Sequence, residues 1–509
     1  MRRILLCLFI VLFLLSLFGC GTDNNDNPVP VLSSLAPTSI AANMPAFTLV
    51  LNGSNFVQGS TVSFGGTAKS ATFVSSTELQ CSISQADIQG LALMDDPGIG
   101  LANLQDAAIT VNVTNPTPGG GNSNSMTFNV TSNYSFITPT NISNDNYESA
   151  RTRIGLDAQN NISVVWDQQH VGGVTEIIYT RSADHGTTWS TQVDISHANT
   201  ESIYPDLAIG TPGDINVVWQ KALGAQYDIF FGRSADSGST WSEPLNISKT
   251  TLKSTSPAIA VDLSGNVNVV WSEVVKFGST AVFYKDCLYF SRSTNSGVFF
   301  SAPLNIAETI CPCYPAIAVD PAGRIFVAYR NGGCSAVGEI LYMLSGDGGS
   351  SWSAPKLLSI DPEDANLPAF AVDSNGYINL VWQQAVSNSW EIFFSRSTDI
   401  GSTWSTPVNI SQTSGNSQHP SITVDTLKNL NVTWDEDVAG VEEIYQSRSV
   451  NNGADWTSNA NISNNAGESF GPDIVVDSSC NLYFVWLDRT TGTTETYFLR
   501  SIIAAALNR

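Results

Sequence analysis

Four arginines lie in loops predicted to share one face of the fold: Arg151, Arg153, Arg330 and Arg489. A guanidinium group binds a carboxylate through two parallel hydrogen bonds, so clustered arginines can hold an acidic ligand. Arg151 and Arg153 belong to the first of several sequence repeats, and Arg489 belongs to the last. We therefore expect these three side chains to come together if the repeats close into a ring.

Aromatic residues on the same predicted face supply the other candidates for ligand binding. Trp390 falls in the segment Gln383–Glu391, where its indole can stack on a sugar, although it can equally cover a neighbouring part of the fold. Tyr204, Tyr314 and His419 complete the set. The four histidines are scattered without metal-ligand spacing, so we predict neither a metal nor a cofactor.

These residues must be positioned by a tandem repeat. The pattern Ser-x-Asp-x-Gly-x-Thr-Trp recurs six times at near-constant spacing, beginning at Ser182. Its third residue is a short polar side chain that can accept hydrogen bonds from its own turn, which makes it structural. These residues are Asp184, Asp236, Asn295, Asp347, Asp399 and Asn451. The pattern resembles the Asp box of sialidase-type β-propellers.

Counting strands instead of boxes changes the predicted number of blades. Segments typical of the first three strands of a blade each occur seven times, whereas one fourth strand, Asn141–Ser143, precedes all of them. We therefore predict a seven-bladed propeller over 139–501, closed by this N-terminal outer strand. Six blades, one for each box, is the alternative.

A different pattern precedes the repeats. Short alternating apolar runs separated by Gly, Pro and Asn predict a small β-sandwich over 29–131. The runs Phe47–Phe56, Gly59–Gly66 and Ile109–Pro116 resemble the IPT/TIG family of immunoglobulin-like domains. The predicted fold class is thus all-β, an immunoglobulin-like sandwich followed by a propeller. The resemblance implies a stalk or interaction module.

The N-terminus resembles the signal peptide of a bacterial lipoprotein. Two arginines precede an apolar stretch that ends in Gly19-Cys20, so we predict a signal peptide with lipobox over 1–20 and lipidation at Cys20. A flexible tether follows over 21–28, and 502–509 forms a C-terminal tail. The expected location is a bacterial membrane, at the outer membrane or cell surface. An uncleaved signal anchor or an ordinary signal peptide remains the alternative.

The net charge restricts the possible binding partners, and the cysteines predict disulfides. A formal net charge of −23 argues against nucleic acid, which requires a concentrated basic patch. Membrane contact is expected through the lipid anchor only. Four cysteines fall on one face of adjacent blades, and an exported compartment permits disulfides, so we predict two among them with the pairing open. They are Cys287, Cys311, Cys313 and Cys334. A metal cluster is the alternative.

The sialidase resemblance also implies a catalytic set that can be compared residue by residue. Arg153-Ile154-Gly155 resembles the Arg-Ile-Pro motif of that family, with Gly in place of Pro. The family also has two further arginines, a Tyr nucleophile with a Glu partner, and an Asp acid/base in an early loop. After Trp166 this chain reads Asp167–His170 without an arginine. Tyr147, Glu148, Tyr204 and Tyr314 are the available substitutes, none in a recognisable catalytic context.

The expected function is therefore recognition: a lipid-anchored envelope protein whose propeller binds a glycan or an envelope protein. The first alternative is a sialidase-type glycoside hydrolase, and the second is a structural scaffold without a small-molecule site. The sequence leaves the oligomeric state open.

Overall fold

The structure is a computed structural model whose regular elements are all β-strands. It describes residues 26–41, 47–84, 87, 107–131, 134–170, 172–197, 199–210, 213–251, 253–277, 283–308, 313–332, 337–360, 363–387, 389–413, 415–438 and 440–503. No helix among them is long and apolar enough to cross a membrane. The chain divides into two compact units, Met1–Tyr134 with Ile503–Arg509, and Ser135–Ile502.

The N-terminal unit is one strongly curved sheet around one apolar core. Strand β5 joins its two halves, because Thr67–Ser70 pairs with β4 whereas Ala71–Ser75 pairs with β6. Alternate residues point inward and bury a core that includes Leu49, Phe64 and Phe128. The strands are β1 Val31–Ala36, β2 Ser39–Ala41, β3 Phe47–Ser54, β4 Thr61–Phe64, β5 Thr67–Ser75, β6 Glu78–Ile83, β7 Ala107–Asn115, β8 Gly121–Asn122 and β9 Met126–Thr131.

The second unit contains seven antiparallel sheets, which we call blades one to seven in chain order of their first strands. The first strands are β12 Glu148–Leu156, β16 Ser202–Ile209, β20 Ser254–Val261, β24 Cys313–Val319, β28 Ala365–Val372, β32 Ser417–Val424 and β36 Ser469–Val476. The second strands are β13 Ile162–Gln169, β17 Ile215–Leu223, β21 Val267–Phe277, β25 Ile325–Asn331, β29 Ile378–Val386, β33 Leu430–Val438 and β37 Leu482–Asp488.

The third and fourth strands complete the blades. The third strands are β14 Thr175–Ser182, β18 Gln226–Ser234, β22 Phe283–Ser293, β26 Glu339–Ser345, β30 Ser389–Ser397, β34 Val441–Ser449 and β38 Glu495–Ile503. The fourth strands are β15 Val193–Asp194, β19 Leu245–Asn246, β23 Leu304–Ala307, β27 Lys356–Leu357, β31 Val408–Asn409 and β35 Ala460–Asn461. In blade seven this place is taken by β10 Tyr134–Phe136 and β11 Thr140–Asn141.

The ring has seven blades, so the seven-bladed prediction is confirmed and the six-bladed alternative is wrong. Each first strand packs against the first strands of both neighbouring blades, including β12 against β36. The first strands therefore surround the axis of the propeller. Blade seven is completed from the N-terminal side, because Thr140 pairs with Phe498 and Asn141 pairs with Tyr497.

Neighbouring blades are joined by aromatic packing. The aromatic residue that closes each box, Phe300 in blade three and Trp in the others, lies edge-on against an aromatic residue from the third strand of the preceding blade. The ring centroids of Trp241 and Tyr179, for example, are 4.9 Å apart. The box glycine allows this approach: Gly238 has φ +86°, and a Cβ there would lie 2.3 Å from Tyr179 Oη. Any other residue would meet both backbone strain and the ring.

A carboxylate near the start of the third strand ties the fourth strand to its blade. In blade two, Asn246 Nδ2 donates to Asp228 at 2.6 Å. In blade seven the same kind of contact crosses the closure, where Asn141 Nδ2 donates to Glu495 Oε2 at 2.5 Å and Ser143 Oγ donates to the same oxygen at 3.2 Å. Strand β11 contributes only two residue pairs to the closure, beside the pairing of β10 with β38, and the side-chain bonds of Asn141 and Ser143 add to this short ladder.

We predict that Asn141→Ala opens the closure locally. The variant loses the bond to Glu495, and a net loss of about 1–3 kcal/mol is expected for a charged hydrogen bond. Hydrogen exchange should then accelerate at 140–143 and 495–498. Asn246→Ala is the matched control, since it removes the equivalent bond from a blade built of continuous chain. Equal exchange at the closure in both variants would show that Asn141 does not hold it.

Candidate functional site

Every first strand carries a β-bulge at the same place. In blade one, Ala150 pairs with Asp167 and Arg153 pairs with Val165, so two residues stand opposite Trp166. The first of the two has a positive φ, which costs a residue other than glycine about 1 kcal/mol. The seven equivalent residues, which we call the mouth ring, are Arg151, Tyr204, Ser256, Tyr314, Leu367, His419 and Gly471.

The mouth ring surrounds one end of the central channel, because the first strands are innermost. Its backbone conformation repeats in all seven blades, whereas its side chains differ in charge, size and polarity. The repeat thus explains the backbone, and any ligand specificity must come from the side chains. Four of the seven, Arg151, Tyr204, Tyr314 and His419, are residues that the sequence predicted to bind ligand.

The preceding blade holds several of these bulges in place. The residue after a second-strand Trp accepts a hydrogen bond from the bulge N–H of the next blade. Gln220 Oε1 accepts from Ser256 N at 3.0 Å, and Gln383 Oε1 accepts from His419 N at 3.0 Å. These bonds make the ring a preorganised feature of the packed blades rather than of loose loops.

The Arg151 side chain is held in place by an ion pair and by an aromatic ring. Its guanidinium forms an ion pair with the fully buried Asp167 and lies 3.9 Å from the centroid of the Tyr204 ring. Burial raises the pKa of Asp167 to about 6, although Arg151 and the Tyr204 N–H act in the opposite direction. Arg151 remains 36% exposed, so it can still meet a ligand from the channel side.

His419 forms the corresponding pair in blade six. Its Nδ1 lies 2.9 Å from Oδ1 of the buried Asp435, and its side chain is 49% exposed. Burial by itself lowers the pKa of His419, but the charge of Asp435 and their hydrogen bond outweigh burial and raise it. The mouth therefore carries a guanidinium and an imidazole, each beside its own buried carboxylate.

A second charged layer lies two residues further along the first strands. Arg153 Nε is 3.5 Å from Asp206 Oδ1, and Asp206 Oδ2 accepts from Ile259 N at 2.9 Å. Asp473 accepts from Ile154 N and from Ser421 Oγ, at 3.1 and 2.7 Å. Burial and then the nearby Asp473 raise the pKa of Asp206 to about 6 against the effect of Arg153.

The predicted arginine cluster is divided among separate ion pairs. Arg151 pairs with Asp167 and Arg153 with Asp206, whereas Arg489 Nη1 lies 2.6 Å from Glu468 Oε2. Arg489 also lies over the Phe470 ring at 4.8 Å. The structure thus does not bring these three guanidinium groups onto one common carboxylate.

Arg330 and Trp390 lie elsewhere on this face. Arg330 is nearly buried, and its Nη2 is 3.0 Å from Asp364 Oδ1. Trp390 belongs to strand β30 rather than to a loop, because β29 and β30 continue to a tight hairpin in which Val386 pairs with Ser389. Its backbone N–H donates to Asn416 Oδ1 at 3.1 Å, and its side chain is half-buried.

Sequence reasoning missed a Tyr–Glu pair in blade two. The Tyr227 hydroxyl donates to Glu201, and this hydrogen bond, followed by burial, raises the pKa of Tyr227 to about 12. Tyr227 directly precedes the third-strand carboxylate Asp228, as Trp390 precedes Glu391 in blade five. Aligning the repeats on that carboxylate would have placed both aromatic residues at one position.

Several predictions concern residues beyond those described. Cys20, Cys311 and Cys334 lie outside the described residues, so lipidation and the two disulfides stay predictions. Of the other two cysteines, Cys287 is buried in β22 and Cys313 begins β24. Within the described ranges, no group of three or more His, Cys, Asp or Glu is arranged to hold a metal ion.

Comparison with known proteins identifies the N-terminal unit. Residues 30–130 match the IPT/TIG domain family, which confirms the resemblance drawn from the sequence. No curated protein sequence matches the chain.

Solved structures similar to the chain include sialidases and a lyase, all at low identity. The Hadza microbial sialidase Hz136 is 14% identical with a TM-score of 0.43, over 68% of this chain and 77% of that one. A NanB sialidase variant from Streptococcus pneumoniae is 12% identical with a TM-score of 0.43, over 84% and 75%. An ulvan lyase of a new polysaccharide lyase family is 12% identical with a TM-score of 0.44, over 58% and 80%. At such identities the likeness concerns the propeller fold alone.

We predict that Asp206 makes the stability of the fold depend on pH. The folded pKa of Asp206, about 6, lies above the unfolded value of about 3.9, so the folded state binds this proton more tightly. Protonation of Asp206 therefore stabilises the fold increasingly as pH falls from about 6 to about 4. This stabilisation is lost as pH rises through 6.

The free energy of unfolding of Asp206→Asn minus that of the wild type should consequently be larger at pH 7 than at pH 4.5. The expected increase is on the order of 2 kcal/mol. Urea unfolding at both pH values measures this difference. Asp347→Asn is the control, because hydrogen bonds led by that of Ser351 lower the pKa of Asp347 to about 2, below this window. A difference of the opposite sign in Asp206→Asn would contradict the assignment.

Proposed function

We propose that the propeller is a recognition module that binds a glycan at the mouth ring. The observation that carries this proposal is the ring itself, in which one repeated backbone conformation presents two tyrosines, an arginine and a histidine around a single opening. Aromatic faces and a few fixed polar groups are the usual components of a sugar-binding surface. Arg151 and His419 are oriented by buried partners, so little side-chain freedom is lost on binding.

The proposal extends to where the module acts. A lipid on Cys20 would hold the protein at a bacterial membrane, at the outer membrane or cell surface, with the TIG domain as a stalk. In that setting the ligand is a surface glycan or a glycosylated envelope protein. The net charge of −23 supports a partner other than nucleic acid.

Binding to a glycan array and then titration calorimetry with the best ligand test this function. We expect Tyr204→Ala and Tyr314→Ala each to weaken binding about 10-fold, because truncating an aromatic anchor costs more than 1 kcal/mol. Tyr377→Ala is the matched control, since Tyr377 follows the turn between the first and second strands of blade five, at the other end of the propeller. Unchanged affinity in both mouth variants would exclude this surface.

A second candidate is a glycoside hydrolase of sialidase type, favoured by the Tyr227–Glu201 pair. The pair has the composition of a tyrosine nucleophile with a carboxylate as its general base, although the hydrogen bond to Glu201 raises the pKa of Tyr227 to about 12. Against it, the arginines that would bind an acidic substrate are each paired with a different carboxylate, and Asp167 is buried beneath Arg151. These pairs favour binding over hydrolysis.

We expect no hydrolysis of a fluorogenic sialoside by the purified protein between pH 4 and 8. Turnover that is lost in both Tyr227→Phe and Arg153→Ala would establish the hydrolase instead. Tyr289→Phe serves as a control, because Tyr289 is a strand residue stacked on Trp271. If the protein shows neither glycan binding nor hydrolysis, a scaffold function is the one that remains.

A further inference from the structure

One position in the repeat supplies an acceptor for two buried donors in three blades. It lies two residues after the second-strand Trp, and in blades three, six and seven it is a carboxylate that accepts from that Trp and from a first-strand Ser. In blade three, Glu273 accepts from Trp271 Nε1 at 2.9 Å and from Ser254 Oγ at 3.3 Å. In blade six, Glu436 accepts from Trp434 Nε1 at 3.1 Å and from Ser417 Oγ at 2.6 Å. In blade seven, Asp488 accepts from Trp486 Nε1 at 3.1 Å and from Ser469 Oγ at 3.0 Å.

Blade two keeps the two donors and replaces the acceptor. Trp219 and Ser202 occupy the equivalent positions and are fully buried, but the third position is Lys221. Among the described residues, neither Trp219 Nε1 nor Ser202 Oγ has a hydrogen-bond partner. Buried donors without acceptors are rare in folded proteins because each retains its full desolvation cost.

Lys221 adds further donors at this place. Its ammonium is a donor of three hydrogen bonds and accepts none, and its contacts are with Ser196 O at 3.4 Å and with the Phe230 ring at 5.3 Å. It forms no ion pair within the described part of the chain. Residues 219 and 221 point to the same face of their strand, so the lysine stem starts where a carboxylate side chain starts in blade three.

We propose that blade two binds a carboxylate from outside the chain, which accepts hydrogen bonds from Trp219 Nε1 and Ser202 Oγ and pairs with the Lys221 ammonium. An ionised carboxylate only accepts hydrogen bonds, so it matches a set of groups that only donate. Three other blades place a carboxylate side chain against the equivalent Trp and Ser, so the two donors have the arrangement that binds this group in those blades. The site is separate from the mouth ring and does not depend on the proposed function.

The surrounding charges restrict the ligand to one carboxylate. Asp194 interacts electrostatically with Lys221, and Asp228 stands opposite Lys221 in the strand ladder. Asp228 is already engaged by Asn246 Nδ2 at 2.6 Å, and burial raises its pKa. A group of higher negative charge, such as a phosphate dianion, would meet repulsion from both acidic residues. A monocarboxylate adds a single negative charge beside these residues and therefore meets less repulsion than a dianion.

Lys221→Glu tests the proposal by restoring the carboxylate of the repeat. The variant should satisfy both donors internally and raise the melting temperature by about 2–4 °C. The wild type should gain thermal stability in sodium acetate relative to sodium chloride of equal ionic strength, since a ligand of the folded state stabilises it. Lys221→Glu should lose this gain. Lys253→Glu makes the same charge change where no such donors lie, and should retain it.

Glucuronate is the second probe and distinguishes the source of the carboxylate. Stabilisation by acetate alone indicates a small free carboxylate, whereas stabilisation by both indicates an acidic sugar. If Lys221→Glu does not fold, Lys221→Gln replaces it, because Gln168 and Gln384 accept from the Trp of blades one and five at 2.8 and 2.9 Å. The proposal is overturned if neither probe stabilises the wild type, or if both variants at 221 respond to acetate as the wild type does.

Discussion

The closure of the ring is the constraint on which the rest of the propeller depends. Seven blades meet around one axis only if the last pairs with strands from the start of the domain. Strands β10 and β11 supply this pairing, β11 through two residue pairs and the Asn141–Glu495 bond. The first strands can then pack as a complete ring, with β12 against β36. The mouth ring and the layer around Arg153 exist only because this circle is complete, since their contacts run from one blade to the next.

Residues that repeat from blade to blade and residues that differ between blades have different roles in this molecule. Several repeated polar groups have internal partners: box residues bond within their turns, and third-strand carboxylates hold the fourth strands. The departures gather at the end of the propeller that carries the mouth. There Lys221 replaces a carboxylate, and Arg151 and His419 occupy bulges that hold a serine or a glycine in other blades. Chemistry specific to one ligand is therefore to be sought where one blade differs from its neighbours.

Most of the scaffold could be predicted from the sequence because local interactions specify it. Each box, and each strand pair within blades one to six, joins residues close in the chain, and counting strands rather than boxes revealed the split seventh blade. The site was only partly predictable. Arg151, Tyr204, Tyr314 and His419 were identified as one group, yet the ion pairs of Arg153 and Arg489 were not, because Asp206 belongs to another blade and Glu468 to another loop. Tyr227 and Glu201 were missed because their pairing brings a loop onto a hairpin.

The amino-acid sequence by itself determined the all-β class, the TIG domain, the blade number and the turn chemistry, since these follow from periodicity and from hydrogen bonds within a few residues. Only the tertiary structure decided which charges neutralise one another. A guanidinium group pairs with the carboxylate that packing brings within ion-pair distance, as Arg153 pairs with Asp206 of the next blade. Arginines that looked like a common clamp are thus separate pairs, and the unpaired donors of blade two become visible only against the filled positions of its neighbours.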